Sequence, residues 1–240
     1  MKVLLEAKDI SFFVSEREFP ILSKTSLSIF PGEFVVLLGH NGSGKSTLIK
    51  LLTGERGHKT GSVYIDQILL EDIPAERKTQ NIITLTQRPE QRLFVDLTIE
   101  ENIILWESRF PTEDRISTDK ILELTGKKDR LMKSLHQPVN ILSGGEKQVL
   151  LLALSLAHPP HILFLDEHTS SLDPKASDEI MKQTAKAIED HRITTVMVTH
   201  QLEDAVKYGH RIIVLKEGCV VQDFKKPKDL TISKLLHMME

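Results

Sequence analysis

The stretch Gly39-His40-Asn41-Gly42-Ser43-Gly44-Lys45-Ser46 constrains this chain more than any other. It fits the pattern G-x-x-x-x-G-K-[ST]. Before it lies Phe34-Val35-Val36-Leu37-Leu38, a continuous apolar run of the kind that forms a strand buried on both faces of a parallel sheet. After it, Lys45 to Leu52 reads as a helix. Glycines let the backbone turn its N–H groups inward onto phosphate oxygens, and the helix start adds the positive end of its dipole. Lys45 can place its charge on the β- and γ-phosphates, and the Ser46 hydroxyl, next to Thr47, can ligate Mg²⁺. A chance glycine-rich turn would not need this strand before it and this helix after it.

A second apolar run, Ile162-Leu163-Phe164-Leu165, delivers Asp166 and Glu167 at its end. Ligands of open α/β sheets bind at the carboxyl ends of the strands. Asp166 is placed to hold Mg²⁺, directly or through water, and Glu167 to polarise an attacking water as general base. Alone, such an acidic pair is more often a solvated turn. Following the phosphate loop, it reads as part of the same site.

The rest of the chain reads as an α/β sheet domain with an insertion. Residues 3–5 and 9–14 are expected strands, residues 15–18 a charged turn, residues 26–29 an alternating strand, and Pro31-Gly32 a turn. From about 89 to 140 the chain is richer in charge and helix formers, which predicts an inserted helical subdomain. Beyond it, helices are expected at 146–157, 175–189 and 231–239, strands at 162–165 and 194–198, and a hairpin at 212–222.

Between the insertion and the acidic strand stands Leu142-Ser143-Gly144-Gly145-Glu146-Lys147-Gln148. Ser143 with Glu146 makes a capping box that starts a helix. Ser143, Gly144 and Gly145 at a helix start also make a second anion site. One phosphate tail does not readily fill two such sites in one small domain. In a dimer, the second site of one subunit would cover the nucleotide bound by the other.

With this segment the sequence closely resembles the ATP-binding cassette (ABC) ATPases, with motifs in family order from residue 3 to about 221. The resemblance implies a P-loop NTPase core with a parallel-rich sheet, an N-terminal antiparallel β subdomain and the inserted helical subdomain, all in one ABC domain spanning 1–240. It implies ATP and Mg²⁺ as ligands. Residues 142–148 resemble the family signature, Ser171-Leu172-Asp173 the dimer-interface loop, and Thr199-His200 the segment of the switch histidine. Gln87 resembles the glutamine at the hinge into the helical subdomain, implied to help hold Mg²⁺ and water; His200 is implied to contact the γ-phosphate. The family often stacks adenine on an aromatic residue, and that position falls on Val14, with Phe12, Phe13 and Phe19 nearby. His168 stands where Pro or Ala is common.

The motifs at 166–169, 198–200 and 207–209 resemble a sub-branch of bacterial importer ATPases, some linked to aromatic amino acids. The implied partners are a second copy or a paralogue on ATP binding, integral membrane permease subunits and a periplasmic or lipoprotein solute-binding protein. The groove for the permease is expected near Gln91 to Glu101, with Phe94 and Leu97 exposed or, equally, in the core. The alternatives are a soluble ABC ATPase working without a transporter, for example in cluster assembly, an inactive binding module, and an unrelated kinase. Intact Lys45, Asp166, Glu167 and His200 argue against the inactive module. The signature argues against the kinase.

The formal net charge of -3 gives no global basic excess, so no nucleic-acid partner is expected. Cys219 is the single cysteine, which fits a reducing compartment. The longest apolar run, 149–157, is far short of the roughly 18–20 residues that cross a bilayer. The expectation is a cytoplasmic protein, peripheral on the inner face of the cell membrane.

Overall fold

The computed structural model describes residues 2–13, 20–57, 60–226 and 230–239. The expected charged turn at 15–18, together with Val14 and Phe19, lies outside the described residues.

The chain forms β1 (Leu5–Phe12), β2 (Leu22–Ile29), β3 (Phe34–Leu38), α1 (Lys45–Leu52), β4 (Thr60–Ile65), β5 (Ile68–Leu69), α2 (Ala75–Asn81) and β6 (Ile82–Thr86). There follow α3 (Ile99–Glu107), α4 (Thr118–Leu124), α5 (Lys128–Met132), α6 (Gly144–Ala157), β7 (Ile162–Asp166) and α7 (Pro174–His191). The last elements are β8 (Thr194–Val198), α8 (Leu202–Tyr208), β9 (Arg211–Lys216), β10 (Cys219–Lys225) and α9 (Ile232–Met239).

Two sheets result. One is antiparallel, ordered β2-β1-β4-β5, and the other is ordered β10-β9-β3-β8-β7-β6. The larger sheet is parallel except for the β9–β10 hairpin. Its apolar strands are buried on both sides. Phe34, Val36 and Leu38 of β3 join the cluster that holds Leu150 and Leu154 of α6. Val35 and Leu37 join the opposite cluster, with Leu48 and Leu52 of α1 and Leu5 and Ile29 of the antiparallel sheet. A continuous apolar strand is thus the middle layer of three.

Where two separate strands are expected at 3–5 and 9–14, the structure has one, β1, running from Leu5 to Phe12; Val14 lies outside the described residues. The charges at Glu6, Lys8 and Asp9 that suggest a break lie on the partly or fully exposed side, while Leu5, Ala7 and Ile10 are buried. Register shifts after Ala7 and Lys8 coincide with Asp9, whose φ is 49°.

The stretch from 89 to 140 brings Ile99, Ile103, Ile121, Leu122, Leu131 and Val139 into the same apolar cluster as α6. Its first long helix, α3, starts on a capping box. Thr98 Oγ1 accepts from the Glu101 N–H at 3.1 Å, and the Glu101 carboxylate accepts from the Thr98 N–H at 2.8 Å. Among the described residues no helix is long and apolar enough to cross a membrane.

Candidate active site

The parallel register builds the site. Leu37 of β3 lies beside Val198 of β8, Val198 beside Asp166 of β7, and Asp166 beside Thr86 of β6. The strands therefore end on one line. The residues that follow each end, Gly39 to Lys45, His200, Glu167 and Gln87, emerge together at the carboxyl edge of the sheet.

The phosphate loop is held tightly against its neighbours. A Cβ on Gly39 would lie 2.2 Å from the Leu215 carbonyl oxygen, and one on Gly44 would lie 2.8 Å from that of Ile21. Gly44, at the start of α1, has φ +103°, which disfavours any side chain. His40, Asn41 and Gly42 are exposed at the mouth, and Thr47 is half-buried. The Lys45 ammonium donates to the carbonyls of Gly39 at 2.7 Å and His40 at 3.0 Å. Burial lowers its pKa, and the Glu167 and Asp166 charges oppose that shift. Among the described residues the buried Ser43 hydroxyl has no hydrogen-bond partner.

Ser46 Oγ donates to Asp166 Oδ1 at 3.1 Å. Burial raises the Asp166 pKa against the Ser46 hydrogen bond, and the neighbouring Glu167 charge raises it further. Ser46, Gln87, Asp166 and Glu167 line one cleft, together with Lys50 and Arg88. Ser46, Gln87 and Asp166 offer hard oxygen donors with a single carboxylate, the kind of set that holds Mg²⁺ when substrate phosphates complete the coordination. The unsatisfied Ser43 hydroxyl, the Lys45 ammonium and the loop N–H groups fit a triphosphate. The site residues thus suit ATP with Mg²⁺.

Glu167 Oε1 stands 2.7 Å from His200 Nε2. Glu167 adopts φ 52° and donates its N–H to the Val198 carbonyl at 3.1 Å. Next to it, His168 is buried, and burial lowers its pKa to about 4. Ser171 Oγ donates to the Gln87 carbonyl at 3.1 Å, tying the 171–173 segment to Gln87. Asp173 caps α7 through the N–H groups of Lys175 and Ala176, at 3.1 and 3.0 Å.

Ser143, Gly144 and Gly145 stand apart from this cleft. Ser143 Oγ accepts from the Glu146 N–H at 3.2 Å, and the Glu146 carboxylate accepts from the Ser143 N–H at 3.0 Å, so the capping box is formed. Ser143 and Gly144 are exposed, and none of the three lines the cleft. Val14 lies outside the described residues.

Sequence reasoning left Lys50 and Arg88 out of the cleft. Lys50 sits one helical turn after Ser46 on α1, and Arg88 directly follows Gln87, so spacing was a usable signal for both. No local pattern marks the Ser43 hydroxyl as buried. Phe94 is 61% exposed, whereas Leu97 is half-buried and Leu93 is core.

The ABC transporter family model matches residues 22–170, well over half of the chain. The chain belongs to the ABC transporter family. It is 35% identical over 228 residues to a tyrosine transport ATP-binding protein of Clostridioides difficile, covering 92% of this chain and 91% of that one. It is 32% identical over 219 residues to an energy-coupling factor transporter ATP-binding protein of Mycoplasma mobile, covering 90% and 77%. Among solved structures it resembles a dimeric, post-hydrolysis ATP-binding cassette bound to ADP and Pi. The TM-score is 0.78 at 30% identity, with 92% of this chain and 98% of that chain covered. The protein is therefore an ABC ATPase subunit of a membrane transporter. It binds ATP with Mg²⁺, hydrolyses ATP, dimerises, and works with membrane transporter components.

Proposed function

We propose that this ABC ATPase energises a bacterial importer of a small solute, with aromatic amino acids as the substrate class to test first. It would work as a nucleotide-driven clamp on the cytoplasmic face of the membrane. The observation that carries the clamp is the separation of the two anion sites. Ser46, Gln87, Asp166 and Glu167 line one cleft beside Lys45, the residue before Ser46, while exposed Ser143 and Gly144 line none of it. In a head-to-tail pair, Ser143, Gly144 and Gly145 of one copy would close over the phosphates held by the other.

In this reading the loop from Gly39 to Thr47 binds the phosphates and Lys45 carries the positive charge onto them. Mg²⁺, held by Ser46, Asp166 and Gln87, would neutralise the charge that develops on the phosphates. Glu167 accepts the proton of the attacking water, and His200, 2.7 Å from it, holds the carboxylate in place and faces the γ-phosphate. Release of phosphate loosens the bridging contacts and opens the clamp. Gln87, joined to the 171–173 segment through Ser171, would pass that motion to permease subunits docked near the exposed Phe94.

The Clostridioides difficile relative's name, tyrosine transport ATP-binding protein, supports the choice of solute. A solute-binding protein would complete the importer. The test is reconstitution of the chain with its permease in liposomes carrying internal ATP. The reading expects ATP-dependent uptake of labelled tyrosine or tryptophan that is lost in Glu167→Gln. ATP hydrolysis without uptake of any aromatic amino acid would overturn the substrate class. Failure to associate stably with any membrane subunit would favour a soluble role.

A further inference from the structure

His168 directly follows the acid read as catalytic. Its side chain is 2% exposed, and its Nε2 lies 3.5 Å from Thr184 Oγ1. Thr184 is fully buried three turns into α7, and its hydroxyl proton is committed to the Ile180 carbonyl at 2.8 Å. In the contact with His168 the hydroxyl oxygen therefore accepts, and the imidazole donates from Nε2–H.

This contact closes a short circuit of chain. Glu167 occupies the left-handed region at φ 52°, a conformation that costs a non-glycine residue energy and persists only when its surroundings enforce it. On its amino side the Glu167 N–H is held by Val198. On its carboxyl side, the Glu167 carbonyl accepts from the Ser170 N–H at 3.0 Å and from the Ser170 hydroxyl at 2.8 Å. Neither bond fixes the rotation of the 167–168 unit against α7. The buried imidazole is the side chain of this unit that reaches α7, at Thr184.

The same helix holds the other half of the catalytic pair. Gln201, next to His200, reaches Ser177 Oγ at 3.5 Å. Ser177, Ile180, Met181, Thr184 and Ile188 make one buried stripe along α7 at helical spacing. Glu167 and His200 are thus each neighboured by a residue that contacts α7, and the amino end of that helix is capped by Asp173 of the interface-type segment 171–173.

We propose that His168 is a positioning residue for hydrolysis: packed against α7 and donating to Thr184, it holds Glu167 at the angle that sets its carboxylate against His200. This rests on the reading of Glu167 as the general base. Movement of α7, driven at residues 171–173, would then shift the Glu167–His200 pair as one body. The proposal needs no contact between His168 and nucleotide.

The experiment compares wild type with His168→Ala, His168→Gln and Thr184→Val, measuring kcat, KM for ATP, MgADP affinity by titration calorimetry, and melting temperature. Thr184→Val nearly keeps the volume and removes the hydroxyl, which is both the acceptor for His168 and the donor to the Ile180 carbonyl. A catalytic carboxylate displaced by a fraction of an ångström to about 1 Å costs up to roughly a hundredfold in rate. The expected result is a fall in kcat of about tenfold or more in His168→Ala and a smaller fall in Thr184→Val. His168→Gln, which retains a donor, should be partly rescued. MgADP affinity should stay within twofold throughout. The His168→Ala loss should also shrink when made in a His200→Ala background, because both act through the same carboxylate.

Unchanged kcat in both His168→Ala and Thr184→Val, with only a lower melting temperature, would overturn the proposal. So would a kcat loss matched by an equal loss of MgADP affinity. Glu167→Gln in the same assay separates the two readings: if it hydrolyses ATP at the wild-type rate, the assignment of the base fails, whatever His168 does.

Discussion

Replacing Gly39 by alanine tests whether the phosphate loop is held by its contact with β9. The new Cβ would sit 2.2 Å from the Leu215 carbonyl oxygen and 2.6 Å from Ser43 Oγ. Carbon and carbonyl oxygen in contact rest at roughly 3.3 Å or more, so the loop must retreat from β9 by about 1 Å. It cannot retreat as a unit with β3, because Leu38 remains paired with Val214. Overpacking of this kind costs about 1–3 kcal/mol. In a chain of this size that lowers the melting temperature by at least about 2 °C. The same movement misaims the loop N–H groups, and displacements near 1 Å cost up to about a hundredfold in function. MgADP affinity measured by titration calorimetry should fall by between about tenfold and a hundredfold. Gly145→Ala is the control: a Cβ there meets nothing within 4 Å, so folding and MgADP affinity of the monomer should be unchanged. If Gly39→Ala keeps both the affinity within twofold and the melting temperature within a degree, the steric argument is wrong.

Burial raises the Asp166 pKa, so the folded chain holds that proton more tightly than the unfolded chain. The stabilising contribution is present below the unfolded carboxylate range and lost as pH rises through the folded value. Asp166→Asn should therefore raise the melting temperature of the nucleotide-free protein at neutral pH, while Mg²⁺-dependent hydrolysis is lost. His168 has the opposite sign. Its folded pKa, about 4, lies below the ordinary histidine value, so stability is full above about pH 6.5 and falls toward pH 4. The fall is about 1.4 kcal/mol per pH unit in that window, and chemical denaturation across pH should find it missing in His168→Gln. Gly145→Arg should leave the melting temperature of the monomer unchanged and abolish ATP-dependent dimerisation, as measured by light scattering.

The elements that could be read from the sequence are those with a single cause. β3, α1 and β7 fall where continuous apolar runs and a glycine loop place them, because both faces of each strand are buried and nothing interrupts the pattern until Asp166. Other elements had no such marker. β4 reads Thr-Gly-Ser-Val-Tyr-Ile, with only Val63 and Ile65 buried. β6 follows α2 with no turn residue between Asn81 and Ile82. α8 buries Ala205 alone, so its amphipathic stripe is too thin to see. At the site, the phosphate loop and the acidic strand end were legible because their chemistry demands particular residues at fixed spacing. The Lys45 contacts to its own loop carbonyls and the His168–Thr184 contact depend on how α1, β7 and α7 pack. A linear pattern does not carry that information.

The composite site is the central claim, and the association state of Glu167→Gln with ATP and Mg²⁺, by light scattering, tests it most directly. The substitution should leave binding intact and slow hydrolysis, holding the closed state. The account predicts a shift from monomer to dimer that requires ATP and is abolished by adding Ser143→Arg. A protein that binds ATP yet stays monomeric, or a dimer indifferent to Ser143→Arg, would contradict it.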